Sequence, residues 1–422
     1  MPIFVGAGTS SFMKGDGGIG FTRLTTTQRD ALSGAVNGQV ILNTTTGVLE
    51  FYDGSAWSKV SAVLAKLNTV TGNIFVSTGS TLTLAGEGFL TSGLVVRFVQ
   101  SADSIDTTVT VTPSSDTAAT VTVPAAVYNN VTAGRVVTIT VQNSDGSTSS
   151  GVNKTALALP SGGNISTSGG YRIHTFNSSG TFVNTIPSLS TEYLIVAGGG
   201  GGGAQTGGGG GAGGMRTGTS TLSATSYSIT VGAGGTKAPA QSSPPQAGSG
   251  SDSVFNSITS IGGGGGGSYQ GGSINSQSTG ASGGSGGGGA AMSSPGGSGT
   301  SGQGNNGGQG RTGGEYDGGG GGGAGQAGTS GNSGSHGGDG SASSITGSSV
   351  TYAGGGGGCG QGSNPVGNGG SGGGANGGND VQPGTAATAN RGGGGGGSRD
   401  YGGVGGGATN GGSGIVIVRY QL

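Results

Sequence analysis

Charge is scarce in this sequence. Lys, Arg, Asp and Glu together make 7% of 422 residues, and the formal net charge is −1. Without a basic field the chain has no electrostatic footprint for nucleic acid or for anionic membrane. It also departs from disordered chains, which combine low hydrophobicity with high net charge. Cysteine occurs once, as Cys359. That excludes an internal disulfide framework and points to assembly in a reducing cytosol. The longest apolar runs, YLIVA at 193–197 and IVIV at 415–418, have strand length and cannot span a bilayer. The opening stretch MPIFVGAGTSSFMKGD lacks the basic and apolar regions expected of a signal peptide.

Glycine is what the chain has in excess. Most of its glycines fall after position 190, where they make up more than a third of the sequence. Unbroken GGGGGG blocks stand at 198–203, 262–267 and 392–397. Glycine has no side chain to bury, so this half is either disordered or held by backbones packed against one another. Strand-like pieces between the blocks, SVFNSITSIGG at 253–263, ASSITGSSVTYAGG at 342–355 and the closing GIVIVRY at 414–420, argue for order. Extended left-handed helices with three residues per turn have no internal hydrogen bonds, so every N–H and C=O points at a neighbour. Glycine alone lets such helices approach on all sides. Alanine or serine at block edges then marks positions facing solvent or a loop.

The first half reads as two β units. In residues 1–60, a Thr of 25–27 is placed to cap a short helix, with Leu32 turned inward. VILN (40–43) and VLEFY (48–52) form a hairpin, and the segment after Asp53-Gly54 supplies a partner strand. The alternation puts Leu49 and Phe51 on one face, away from Glu50, with Trp57 as anchor. Residues 64–159 carry period-2 strands at 81–89, 94–99, 107–113, 118–127 and 135–148, which implies an antiparallel β-sandwich. Residues 160–170, PSGGNISTSGG, have linker composition. Residues 171–183 read as a hairpin opening a third unit, 171–422. The whole is mainly β: a small N-terminal module, a sandwich, then a glycine-rich domain of short strands with packed polyglycine II helices.

Three resemblances add to this. RLTTTQRDAL and GQVILNTTTGVLEFYDGSAW resemble a short module of tailed-phage structural proteins. TLTLAGEGF, ATVTVP and TITVQNSDGSTS resemble an IPT/TIG immunoglobulin-like module. TFNSSGTFV, EYLIVAGGGGGG, YSITVGAGG and GGSGIVIVRY resemble the glycine-rich domain of phage tail fibres, and more distantly the tip adhesins of T-even-like phages. Those adhesins stack polyglycine II helices and present loops at one end.

Chemical motifs are few. Gly-x-Gly-x-x-Gly matches are an unavoidable product of so much glycine, no phosphate-binding Gly-rich loop ending in Gly-Lys-Ser/Thr occurs, and His174 and His336 stand apart. Neither a cofactor nor a metal is called for, and no paired carboxylates suit glycoside hydrolysis, Glu315 and Asp317 coming nearest. A depolymerase is therefore set aside and the chain is read as a non-enzyme. The informative positions are polar islands in the glycine: Tyr269 and Gln270, then Arg311, Glu315, Tyr316 and Asp317, then Arg399, Asp400 and Tyr401. Aromatic faces beside amide, carboxylate and guanidinium groups suit sugar rings and hydroxyls.

The resemblance implies a phage tail-fibre or receptor-binding protein of the virion. Residues 1–60 would attach to other tail or capsid proteins, the islands would contact a host glycan such as lipopolysaccharide, and the assembly would be a homotrimer. A capsid-decorating or baseplate protein without receptor role is the alternative.

Overall fold

The computed structural model describes residues 21–59, 64–91, 93–241, 243–269, 274–311, 313, 316–361, 365–399 and 407–421. They belong to two compact units, Met1–Leu157 and Ala158–Leu422.

In the first unit, Thr22–Leu24 (β1), Val40–Asn43 (β2), Val48–Tyr52 (β3) and Trp57–Lys59 (β4) form one sheet in that order. Helix Thr26–Asp30 (α1) opens on a capping box, with Thr25 and Gln28 each bonding the other's backbone N–H. The alternation of β3 is the reverse of the sequence expectation. Glu50 is buried beside Ile41, and Phe51 is exposed. The carboxylate is tolerated inside because Arg29 Nη1 donates to it at 2.7 Å and Asn43 Nδ2 at 3.0 Å. Trp57 is only half-buried, packed on Tyr52, and the module's anchors are Leu24 and Ile41.

Lys66–Thr71 (β5), Ile74–Phe75 (β6), Thr81–Glu87 (β7), Leu94–Gln100 (β8), Ile105–Val111 (β9), Ala118–Thr122 (β10), Val136–Asn143 (β11) and Val152–Leu157 (β12) follow. They make two sheets, β10-β7-β5 and β6-β12-β11-β8-β9, over a single core. Residues 125–127, expected to prolong a strand, instead open helix Ala125–Tyr128 (α2) after Pro124.

The second unit contains Asn164–Ser168 (β13), Tyr171–Phe176 (β14), Gly180–Val183 (β15), Leu189–Val196 (β16), Met215–Leu222 (β17), Ser226–Thr230 (β18), Ser253–Phe255 (β19), Ile258–Ser260 (β20), Ser341–Ser343 (β21), Val350–Tyr352 (β22) and Ile415–Gln421 (β23). Its main sheet runs β13-β14-β23-β16-β17, and a second runs β15-β18-β19-β20. Two expectations are corrected here. The stretch 160–170 is no plain linker, because residues 164–168 pair with β14 as an edge strand. Glycines 162, 163, 169 and 170 supply the positive φ on either side. Residues 171–183 do not form a hairpin either, since β14 and β15 enter different sheets. That division lets both bury their apolar faces, with His174 edge-on to Phe182 at 4.9 Å and stacked on Tyr420 at 5.8 Å. His174 is fully buried, its Nδ1 lies 2.8 Å from Gly162 O, and burial lowers its pKa.

The opposite face of the main sheet carries Ile173, Leu194, Val196, Ile415 and Ile417. Against it lies the glycine body. In residues 197–203, Ala197, Gly200 and Gly203 donate to Gly214, Gly211 and Gly208; Gly198 and Gly201 donate to Ser251 and Gly248; Gly199 and Gly202 donate to Gly412 and Thr409. Every third residue thus addresses the same neighbour, the signature of a three-residue helix turn. Residues 207–214 sit deepest. They donate to segments 392–398, 261–267 and 319–322, and accept from 197–203, 285–288 and 356–359. Six neighbours thus surround one helix with no side-chain core between them. Block-edge Ala204, Ser268 and Ser398 stand at a loop turn, as expected, but Ala212 and Ala353 face neither solvent nor loop and put their methyl groups into the apolar cluster under the sheet. Side chains are admitted where the lattice meets other side chains.

Arg419 fastens the closing strand. Its guanidinium donates to Glu192 Oε2 at 2.7 Å and 3.2 Å, and to the carbonyls of Ser344 and Ile345 at 3.1 Å. It also lies 4.3 Å from the Tyr171 ring. Arg419→Ala is expected to destabilise by about 2 kcal/mol, since several charge-assisted bonds are lost together. Arg419→Lys should recover only part, because an ammonium cannot reproduce the planar fork. Urea denaturation of the two variants checks this order.

Candidate functional site

Three glycine helices continue strands of the main sheet: 197–203 leaves β16, 207–214 leads into β17, and 408–414 leads into β23. The turn Ala204–Gln205–Thr206 therefore marks the lattice end away from that sheet. The polar islands gather around this turn. Tyr269 N lies 3.2 Å from Gln205 O, Ser268 Oγ accepts from Ala204 N, and Ala291 N donates to Thr206 O. Cys359 N donates to Gly207 O, and Gly207 N donates to Ser398 O, beside Arg399.

The tyrosines of two islands meet there, Tyr269 and Tyr316 having ring centroids 6.1 Å apart at 57°. Arg311 Nη1 donates to Asp317 Oδ2 at 2.9 Å, and the other oxygen of Asp317 accepts from Gln361 N at 2.7 Å. Asp317 is buried and both its oxygens are engaged, so it positions Arg311 instead of facing a ligand. Arg311 keeps about a third of its side chain in solvent (32%). Arg399, more deeply set, pairs with Asp380 at 2.8 Å. Gln270, Glu315, Asp400 and Tyr401 lie outside the described residues.

The structure adds members that the sequence reading passed over. Gln361 fixes both Tyr316 N, at 2.8 Å through its Oε1, and Asp317. Asp380 holds Arg399, and Gln205 Nε2 donates to Gln241 O. Their only signal in sequence is that each interrupts a glycine run. A second signal is conformational. Gln205, Thr206, Met292 and Ser293 all have φ between 49° and 63°. Left-handed backbone costs a non-glycine residue roughly 1–2 kcal/mol, and glycine would remove that cost in a chain already rich in it. The side chains kept at these turns therefore matter more than backbone ease. Of the exposed large apolar residues described in this unit (Ile165, Ile274, Met292, Val381), the last three stand in loops of this end.

Cys359 is buried inside the glycine body. Its Sγ accepts from Gly318 N at 3.3 Å and lies 3.7 Å from Tyr316 O, and burial pushes its pKa up to about 12. Among the described residues no group of three or more His, Cys, Asp or Glu could hold a metal, and no helix is long and apolar enough to cross a membrane.

The fold and this end together define a mainly β protein whose body is a glycine-helix lattice ending in polar and aromatic loops. A family model described as a glycine-rich domain matches residues 175–421. The chain belongs to that glycine-rich domain family. No curated protein matches the chain.

Proposed function

We propose that this protein is a non-enzymatic virion component of the phage tail-fibre class that contacts a host surface glycan through the loop end of its glycine lattice. The observation that carries this reading is the convergence of separate islands, with Tyr269, Tyr316 and Arg311 gathered at one end of a densely hydrogen-bonded body. Aromatic faces stack on the apolar faces of sugar rings, and an oriented guanidinium donates to hydroxyl or phosphate groups. Exposed Ile274, Met292 and Val381, on other loops of that end, add the apolar character that recognition surfaces favour. In this reading residues 1–60 attach to tail or capsid proteins, residues 64–159 serve as an IPT/TIG-like spacer, and the working assembly is a homotrimer.

The test is adsorption competition with the purified full-length chain. It should coat host cells and block infection, and Tyr269→Ala or Tyr316→Ala should weaken that block roughly 30-fold, the effect of losing about 2 kcal/mol at an aromatic anchor. A protein that neither coats cells nor competes would remove the receptor role. Density on the capsid lattice in micrographs would then favour a decorating protein.

A further inference from the structure

A second polar site lies at the opposite end of the lattice, where the glycine body meets β17. It is a cleft of about 390 Å³ lined by Met215, Thr217, Gln303, Asn305, Ala324 and Ser341, together with Gly302 and Gly304. The volume falls within the range of small-molecule sites. Two carboxamides in it are held from behind. Gln303 Oε1 accepts from Ile261 N at 2.8 Å, and Gln303 O accepts from Met215 N at 3.0 Å. Asn305 Nδ2 donates to Gly323 O at 2.9 Å and Ala324 O at 3.2 Å. Each amide therefore has one end committed to backbone. Gln303 Nε2 as donor and Asn305 Oδ1 as acceptor have no protein partner among the described residues, and the hydroxyls of Thr217 and Ser341 stand beside them.

We propose that this cleft binds one neutral sugar unit. A charged ligand would give up its hydration without finding a counter-charge, since no lining side chain is ionisable. A wholly apolar ligand would strip water from Gln303 Nε2 and Asn305 Oδ1 and leave them unpaired. A compact ring bearing several hydroxyls supplies a donor and an acceptor at close spacing, with its C–H face free to lie on Met215 and Ala324. The two amides are fixed before binding, so little ordering is required of the protein. This site shares no residue with the loop end and does not depend on the receptor reading.

Saturation-transfer NMR on the full-length protein tests it, with D-glucose, D-galactose and N-acetyl-D-glucosamine as neutral probes and glucuronate and glucosamine as charged ones. At least one neutral sugar should bind with a Kd on the order of millimolar, the strength of a few hydrogen bonds on a small ligand, and the charged sugars at least tenfold more weakly. Measured in the Tyr269→Ala background, which removes any contribution of the loop end, Thr217→Trp on the edge strand β17 fills the cleft and should abolish the signal with an unchanged melting temperature; Gln303→Glu is measured in the same background. Gln303→Glu keeps the acceptor for Ile261 N, removes the donor, and should weaken binding at least tenfold; it decides the matter if Thr217→Trp does not fold. Tyr269→Ala at the loop end should leave the signal intact. Absence of any neutral-sugar signal, equal binding of charged sugars, or persistence in both cleft variants would overturn the proposal. So would loss of the signal in Tyr269→Ala, which would place the sugar at the loop end.

Discussion

Gly210→Ala is expected to cost about 3 kcal/mol or more, at or beyond the top of the usual range for overpacked interiors. A methyl group at Gly210 would stand 2.1 Å from Gly200 O and 2.6 Å from Gly200 C. Both are backbone atoms, so no rotamer can move aside. Relief requires the helices 197–203 and 207–214 to separate, and each is tied to several others. Gly210 N donates to Gly395 O at 2.7 Å, and its carbonyl accepts from Gly356 N at 2.9 Å. Widening one contact therefore stretches ladders on other sides. Gly180→Ala in β15 is the matched control. There the nearest atoms to the added methyl are on Phe176 at 3.7 Å, an ordinary contact, and alanine should be neutral or stabilise by about 0.5 kcal/mol. Thermal and urea unfolding of the two variants measures the difference. Equal effects would mean that the glycine blocks are not packed backbone to backbone.

The second large effect concerns Cys359 and pH. Its thiol is fully buried, and its pKa is raised from 9.0 to about 12, chiefly by burial. In the unfolded chain the thiol loses its proton near 9.0, while in the folded chain it keeps it to about 12. The folded state then binds the extra proton between those values, so its stability is full below pH 9 and falls as pH rises toward 12. The difference of 12 − 9.0 = 3 corresponds to a loss of about 4 kcal/mol at about 1.4 kcal/mol per pH unit. Tyr420 and Tyr352, also raised by burial, add to the same trend above pH 10. Comparing unfolding of the parent with Cys359→Ala between pH 8 and pH 10 isolates the thiol, and the variant should show the flatter profile. The same burial makes Cys359 a reporter of lattice integrity. A thiol reagent at pH 8 should react on the order of a thousandfold more slowly with the folded chain than with the chain in denaturant, from the thiolate fraction alone. Rapid labelling of the folded protein would show the lattice to be open around Gly318 and Gly207.

Parts of the architecture were legible because local rules suffice for them. A threonine cap on the short helix, the Leu82 and Leu84 alternation in β7 and the apolar closing strand β23 all follow from short-range patterns, whereas the choice of Thr25 and its reciprocal bond with Gln28 are seen only in the fold. The burial of Glu50 was not legible, because it depends on Arg29 from α1 and Asn43 from β2 arriving on the same face. Nor was the separation of β14 from β15, which is decided by where Phe182 finds His174 and Phe255. In the candidate site, the tyrosines and charges were visible as interruptions of glycine. Their meeting was not, since Tyr269 and Tyr316 are brought together by helices that cross the lattice several times between them.

The sequence alone determined that this protein is mainly β, that charge is scarce and nearly balanced, and that its second half is ordered through backbone if it is ordered at all. Composition decides those points, because glycine has no side chain to bury and abundant Thr, Val and Ser favour strands over helices. The tertiary structure decided which glycine helix neighbours which, and therefore where each island emerges. A glycine run carries no side-chain periodicity to specify a partner, so Gly199 donating to Gly412 and Gly209 to Gly319 can be read only from the folded chain. The lattice is dictated by composition, but the addresses within it are set by the turns and strands that return each segment to its place.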